Sequence, residues 1–307
     1  MNVTLRQLQV FAKVVETGSF TRAAEQLFLT QPAVSQQIRL LTDAIGEPLL
    51  ESLGRKIHLT RAGSELLRTS QAMAQEWQRF EEEMSAERGL QSGVLKLAVV
   101  STAKYFFPRV LGQFCRRYPG IDVRLEVANR DRLIERIDAN TDDLYVMTQP
   151  PPALDLITEP FLDNPLVPIA ALDHPLASQT GLTLADLSQE RFIMREQGSG
   201  TRIAIEEYLH QHNASLNVRM ELGSNEAIKQ AVSGGLGLSI LSRHTLHKQP
   251  VADDDVAILH VDGFPLHSQW RLVYLRQKRL SRAALAFLQE LKLWIPQYLT
   301  SRGMGQI

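Results

Sequence analysis

The chain has 307 residues, 44% hydrophobic and 22% charged, with a formal net charge of -1. The length suits two or three domains of roughly 100–200 residues. The composition excludes disordered and collagen-like chains, and the near-zero charge confines nucleic-acid binding to a local surface. Cys115 is the one cysteine, so an internal disulfide and a cysteine-built zinc or iron–sulfur site are excluded. No basic-then-apolar leader opens the chain, and no apolar run approaches about 18 residues. The expectation is a cytoplasmic protein with no membrane span.

Leu5, Leu8, Val10, Phe11, Val14 and Val15 recur at helical spacing, and Gly18 stops that helix. Ser19 stands where an N-cap belongs, and an apolar stripe resumes with Ala23, Ala24 and Leu27. Thr30 is a second N-cap, and Pro32 falls in the first turn of a third helix, where a missing N–H costs little. Ala33, Val34, Ile38, Leu40 and Leu41 give that helix its buried side, and Gly46 ends it. Helix, turn, helix, turn, helix is the pattern in which the second helix of the motif enters the major groove. That helix is Gln31–Ala44, with Gln31, Ser35, Gln36 and Arg39 on its polar face. Gln pairs bidentately with adenine and Arg with guanine, so the residue types suit base readout. Residues 49–60 read as a two-stranded wing whose Gly54-Arg55-Lys56 tip reaches phosphate or the minor groove. Charge does not separate this from a small helical domain with a solvated face: residues 1–60 hold six Lys/Arg against five Asp/Glu, a margin of +1.

Three runs and one glycine break the tie: Ser19-Phe20-Thr21-Arg22-Ala23-Ala24-Glu25-Gln26-Leu27, Thr30-Gln31-Pro32-Ala33-Val34-Ser35-Gln36-Gln37-Ile38, then Gly46 and Leu59-Thr60-Arg61-Ala62-Gly63. Together they resemble the LysR-type transcriptional regulators. The resemblance implies that Gln31, Pro32, Ser35, Gln36 and Arg39 read DNA, and that Arg22, Thr30, Arg55 and Lys56 contact the backbone or serve the wing. The chain departs from the family in two places. Leu49-Leu50-Glu51-Ser52 stands where Leu-Phe-x-Arg is usual, removing an arginine near the wing, and Leu41-Thr42 stands where Leu-Glu is usual.

From Ala62 to about Arg88 no proline interrupts an apolar stripe of Leu66, Leu67, Met73, Trp77, Phe80 and Met84. A helix of about 25 residues spans nearly 40 Å, and its stripe must bury against the chain's own domains or a second copy. The resemblance implies the second: a homodimer through this helix, and a homotetramer beyond it.

Further on, Val94–Val100, Ile121–Val127 and Leu144–Met147 read as strands separated by helices through Val110, Leu111 and Phe114 and over Arg132–Ala139. That β-α-β-α-β order argues for a parallel sheet. A similar cycle follows: strands at Leu166–Leu172, Phe192–Met194, Gly235–Leu241 and Leu272–Leu275, with helices at Thr201–His212, Asn225–Ser233 and Ala283–Tyr298. Two such units resemble the type 2 periplasmic binding proteins, the sensor fold of the LysR-type family. The predicted architecture is therefore an all-α N-terminal part followed by α/β. It comprises a winged helix-turn-helix (1–60), a linker and dimerisation helix (61–90) and a two-lobed effector domain. Lobe I takes 91–161 and 267–300, and lobe II takes 162–266, with crossovers near Phe161-Leu162-Asp163 and Phe264-Pro265-Leu266.

Ligands of open α/β sheets bind beyond the carboxyl ends of strands. There the chain places Ser101-Thr102 at a helix start, Thr148 after the third strand, and Gln197-Gly198-Ser199-Gly200-Thr201-Arg202 and Ser224-Asn225 at two more helix starts. Each alone is an ordinary cap. Together, Ser101, Thr102, Thr148, Gln197, Ser199, Thr201, Arg202 and Asn225 predict a small anionic effector, a phosphorylated sugar or organic acid, with Arg202 as its clamp. The run Arg195–Arg202 is similar to the subgroup that controls carbon-fixation operons, which implies phosphorylated sugars or phosphoglycolate-like acids. No cofactor, metal or catalytic residue is expected. His210 and His212 do not share a helical face, and His244 and His247 lack a carboxylate nearby. Cys115 reads as a buried small residue, Asp253–Asp255 as a solvated loop and Pro150–Pro152 as a stiff connection. The partners expected are double-stranded operator DNA, the effector, further copies of the chain and RNA polymerase. An enzyme or a transport receptor built on the cleft are the competing readings. The absence of a phosphate-binding loop, a nucleophile elbow and a leader argues against them.

Overall fold

The computed structural model describes residues 3–53, 56–84, 92–246 and 256–302. They fall into two compact units, Met1–Glu87 with Ala139–Thr141, and Arg88–Asp138 with Asp142–Ile307.

The first unit opens with helices α1 (Leu5–Thr17), α2 (Phe20–Leu27) and α3 (Gln31–Ile45). Each start is capped by a side chain. Thr4 and Gln7 form a reciprocal capping box on α1, Ser19 Oγ accepts the Arg22 N–H at 3.3 Å, and Thr30 Oγ1 accepts the Ala33 N–H at 3.4 Å. Gly18 and Gly46 end α1 and α3 in the left-handed region. Val10, Phe11, Val14, Ala23, Ala24, Val34, Ile38 and Leu41 form one core between the helices. Strands β1 (Leu50–Leu53) and β2 (Lys56–Leu59) pair antiparallel as the wing. Helix α4 (Arg61–Met84) follows, one residue earlier at its start than the sequence suggested.

In the second unit, lobe I holds a five-stranded sheet of order β4-β3-β5-β12-β6. The strands are β3 (Gly93–Val100), β4 (Ile121–Ala128), β5 (Leu144–Met147), β6 (Leu156–Asp163) and β12 (Gln269–Leu275). Strand β3 runs parallel to β4 and β5, while β12 runs antiparallel to β5 and β6. Helices α5 (Phe107–Arg117), α6 (Arg130–Asp138) and α10 (Arg282–Arg302) complete the lobe, with Phe106, Phe107, Phe114, Trp270 and Phe287 in its core. Lobe II carries β7 (Leu166–Ala171), α7 (Leu184–Ser188), β8 (Arg191–Arg195), α8 (Gly200–Gln211), β9 (Asn217–Leu222), α9 (Asn225–Ser233), β10 (Ser239–Ser242) and β11 (Val256–Ile258). The chain crosses between lobes twice. There Asn164 N–H donates to the Ser268 carbonyl at 2.7 Å, and Leu166 bridges Leu266.

Several expectations need correction. Lobe II does not repeat the parallel order of lobe I: β7 is flanked antiparallel by β10 and β11, and β8 and β9 form a separate parallel pair. Strand β10 starts four residues later than expected, because Gly235 and Gly237 at φ 73° and 151° turn the chain first. Ser101 does not open an α-helix. Ser101–Tyr105 is a 3-10 turn, and α5 begins only at Phe107. Cys115 is exposed, since the buried side of α5 is Phe107, Val110, Leu111 and Phe114 and the next residue turns away from it. Arg55 and Asp253–Asp255 lie outside the described residues, as do His247 and the stretch to Arg88.

Candidate functional site

On the first unit, α3 begins with its polar side chains in solvent. Gln31, Pro32, Gln36 and Arg39 are exposed and Ser35 is half-buried, while Val34, Ile38 and Leu41 hold the other face. Gln31 Nε2 donates to Ser35 Oγ at 2.9 Å, so two of these side chains are preset one turn apart. Arg22 on α2 and the cap Thr30 are exposed as well. The helical period thus brings Gln31, Ser35, Gln36 and Arg39 onto the displayed side of one helix. Lys56 opens β2, and its side chain lies outside the described ones.

In the second unit, two lobes close on a small polar pocket. Its lining includes Ser101 and Thr102 after β3, Asn129 and Arg130 at the start of α6, Thr148 after β5, Arg195 at the end of β8, and Ser199, Gly200 and Thr201 at the start of α8. The free space is about 10 Å³, room for about one water. The two glycines of 198–200 let the side chains of Asp131 and Thr148 come up against the backbone. A Cβ on Gly200 would lie 2.5 Å from Thr148 Oγ1, and one on Gly198, at φ 78°, would lie 2.0 Å from Asp131 Oδ2.

The buried cation of this pocket is Arg195, only 2% exposed. Its Nε and Nη2 donate to the Glu196 carboxylate at 2.7 and 2.8 Å, Nη1 donates to Asn225 Oδ1 at 2.8 Å, and Nη2 donates to Ser101 Oγ at 3.2 Å. Arg130 is the second cation, with Nε donating to the Gln149 carbonyl at 2.7 Å. Thr102 Oγ1 accepts the indole N–H of Trp270 at 3.3 Å, tying the pocket to the aromatic core. Ties also cross the mouth. Glu226 on α9 accepts Lys104 Nζ at 2.9 Å and the Tyr105 hydroxyl, and Gln149 Nε2 donates to Glu207 at 3.3 Å. Burial alone would raise the Glu226 carboxyl, but its bonds from Tyr105 and Lys104 outweigh that and hold it down at about 2. Burial, and after it Glu226, raises the Tyr105 phenol.

Of the eight residues expected here, Ser101, Thr102, Thr148, Ser199 and Thr201 line the pocket, while Gln197, Arg202 and Asn225 do not. Asn225 supports Arg195 from behind. Arg202 points elsewhere: its Nε meets Glu206 at 2.6 Å and its Nη1 meets Glu221 at 2.5 Å and the Arg195 carbonyl at 3.0 Å. Those carboxylates raise its already high pKa further. Sequence reasoning missed Arg130 and Arg195. Arg195 ends an apolar strand and Arg130 starts a helix after β4, so the strand-end rule that picked Thr148 would have found both. Among the described residues, no group of histidine, cysteine and carboxylate side chains could hold a metal, and no helix is long and apolar enough to cross a membrane.

Comparison with known proteins places both halves. Residues 5–64 match the family model described as bacterial regulatory helix-turn-helix protein, lysR family, and residues 88–294 match the LysR substrate binding domain. The chain is 49% identical over 290 residues to the HTH-type transcriptional activator CmpR of Synechocystis, covering 94% of this chain and 95% of that one. It is 46% identical over 290 residues to the RuBisCO operon transcriptional regulator of Acidithiobacillus ferrooxidans, covering 94% of each. Among solved structures, the Synechocystis CcmR regulatory domain in complex with 2-PG is 48% identical with a TM-score of 0.64, covering 66% of this chain and 98% of that one. With a displayed recognition helix in one unit, a two-lobed sensor in the other and both family models matched, this chain belongs to the LysR family of transcriptional regulators.

Proposed function

We infer that this regulator controls carbon-fixation genes, reading operator DNA with α3 and sensing a small phosphorylated acid of the 2-phosphoglycolate class between its two lobes. The observation that carries the effector reading is the pair Arg130 and Arg195 facing Ser101, Thr148 and Thr201 in one closed pocket, in a domain 48% identical to a CcmR domain solved with 2-PG. Two guanidinium groups suit the two anionic ends of such an acid, and the free N–H groups at the start of α8 add further donors. Arg130, bonded to the Gln149 carbonyl and only loosely paired with Asp131 at 3.6 Å, takes one end. Arg195, paired with Glu196 and fixed by Asn225, offers its remaining Nη1 N–H to the other.

Because the pocket has room for about one water, ligand enters only when the lobes part about their crossovers and then re-close. Closure on the ligand changes the sensor's shape, and in a dimer that change alters the spacing of two recognition helices on DNA. The reading of a homodimer through α4 is supported by its exposed apolar side chains. Met73, Trp77 and Phe80 border a groove of about 590 Å³ with Leu5, and the Trp77 and Phe80 rings stand 5.6 Å apart. A homotetramer and RNA polymerase contact are the further partners that the family membership suggests.

Calorimetric titration of the full chain with 2-phosphoglycolate tests the site. Binding that falls at least about tenfold in Arg130→Gln and stays within about twofold in Arg202→Gln is expected, since a charge-assisted bond is removed only in the first. Equal loss in both variants, or no binding at all, would remove the pocket from the account.

A further inference from the structure

A second, far larger cavity shares Thr148 with the anion pocket. It is an open cleft of about 1010 Å³ along the middle and end of α8, lined also by the segment 148–152 and by residues of both crossovers. Small-molecule pockets run to about 1,000 Å³, so this one holds a ligand much larger than the anion pocket admits.

Its polar groups are distributed unevenly. Arg271 on β12 is half-buried, and among the described residues it has no carboxylate partner. The Tyr208 hydroxyl on α8 also makes no described hydrogen bond, yet the backbone is shaped around it. A Cβ on Gly263, at φ 83°, would lie 2.3 Å from that oxygen, so only glycine leaves the phenol its place. Two carboxylates also line it, beside the polar side chains of Thr158, Gln211, His267 and Ser268, and each is already met by an amide: Glu207 by Gln149 at 3.3 Å and Asp163 by Gln269 at 2.9 Å. One free guanidinium favours a single carboxylate on the ligand. Two acidic acceptors and a phenol favour several hydroxyl groups on its body and oppose a second negative charge.

The strand geometry links the two cavities. Between Trp270 and Arg271 the pairing of β12 with β6 slips by one residue, from Leu162 to Pro160. Such a bulge re-aims neighbouring side chains. Trp270 is buried and donates to Thr102 of the anion pocket, while Arg271 lines the large cavity. We propose that this cavity is a second effector site for a polyhydroxylated monocarboxylate, a sugar acid, bound through Arg271 and Tyr208 and coupled along β12 to the anion pocket. The site is independent of which acid the anion pocket takes.

The test uses the full chain and D-gluconate as probe, read by ligand-observed NMR, with neutral glucose and doubly charged glucose 6-phosphate as comparators. Gluconate binds best of the three. Arg271→Gln weakens it by at least about tenfold, Arg271→Lys restores part of the loss, and Tyr208→Phe weakens it by a smaller factor. Affinity for 2-phosphoglycolate stays within about twofold in Arg271→Gln, whereas saturating gluconate shifts it in wild type, as reciprocal coupling requires. Absence of gluconate binding, binding indifferent to Arg271→Gln, or simple competition with 2-phosphoglycolate would each overturn the proposal. Failure of 2-phosphoglycolate to bind would count against the anion pocket alone, because gluconate is observed by its own resonances.

Discussion

Arg39 on the recognition helix and Arg195 in the sensor carry the same charged group in opposite settings. Arg39 stands in solvent with no described ion pair, on a helix whose other face is held by Val34, Ile38 and Leu41. Arg195 is 2% exposed and meets Glu196, Asn225 and Ser101 at 2.7 to 3.2 Å. A surface that must meet a large polyanion keeps its donors free and leaves the fold to residues behind them. A pocket for a small ion must hold its charge in place before the ion arrives, so its donors become part of the fold. On the proposed reading, function and stability are therefore separable on α3 and fused at Arg195.

Removing Arg195 is the strongest attempt to break that contrast. Arg195→Met leaves Glu196 and Asn225 without their buried partner and should lower unfolding free energy by about 3 kcal/mol in urea titration. A variant as stable as wild type would show that the pocket residues are not structural. Gln36→Ala should do the reverse. Its unfolding curve stays that of wild type, while operator affinity measured by fluorescence anisotropy drops about tenfold. Thr30→Ala sits between the two classes. It removes the side-chain acceptor of the Ala33 N–H, so the first unit should lose about 1 kcal/mol. The smallest effect concerns Glu226, whose folded-state carboxyl is held down at about 2. A depressed carboxyl stabilises above its ordinary range and loses that contribution as pH falls toward 2. The urea midpoint of Glu226→Gln should lie below that of wild type at neutral pH and converge with it in acid. A gap that persists at pH near 2 would show that the link from Tyr105 and Lys104 is not ionic.

These regions also differ in how far the sequence exposes them. The helix-turn-helix is legible because local rules decide it: Ser19 and Thr30 cap, Gly18 and Gly46 terminate, and a period near 3.6 sorts the faces. The sensor depends on distant partners. Strand β6 hid behind Glu159 and Pro160, which an edge strand tolerates, and β9 hid because its side chains from Asn217 to Glu221 are all exposed. The site hid for a similar reason. Arg202 follows the glycines and looks like a clamp, but Glu206 one turn later and Glu221 on β9 capture it. Arg195 reads as the end of an apolar strand until Asn225 and Ser101, 30 and 94 residues away, converge on it. The pocket-lining hydroxyl residues 101, 102, 148, 199 and 201 are legible in the sequence, since strand ends and helix starts are local features.

On the proposed reading, an acid bound at Arg130 and Arg195 changes how α3 meets DNA. The most direct measurement is a nuclease footprint on the chain's own upstream DNA with and without 2-phosphoglycolate, in wild type and in Arg130→Gln. In wild type the footprint should change length or spacing with ligand, and in the variant it should stay fixed. A footprint indifferent to bound ligand in wild type, or one that shifts equally in Arg130→Gln, would contradict it.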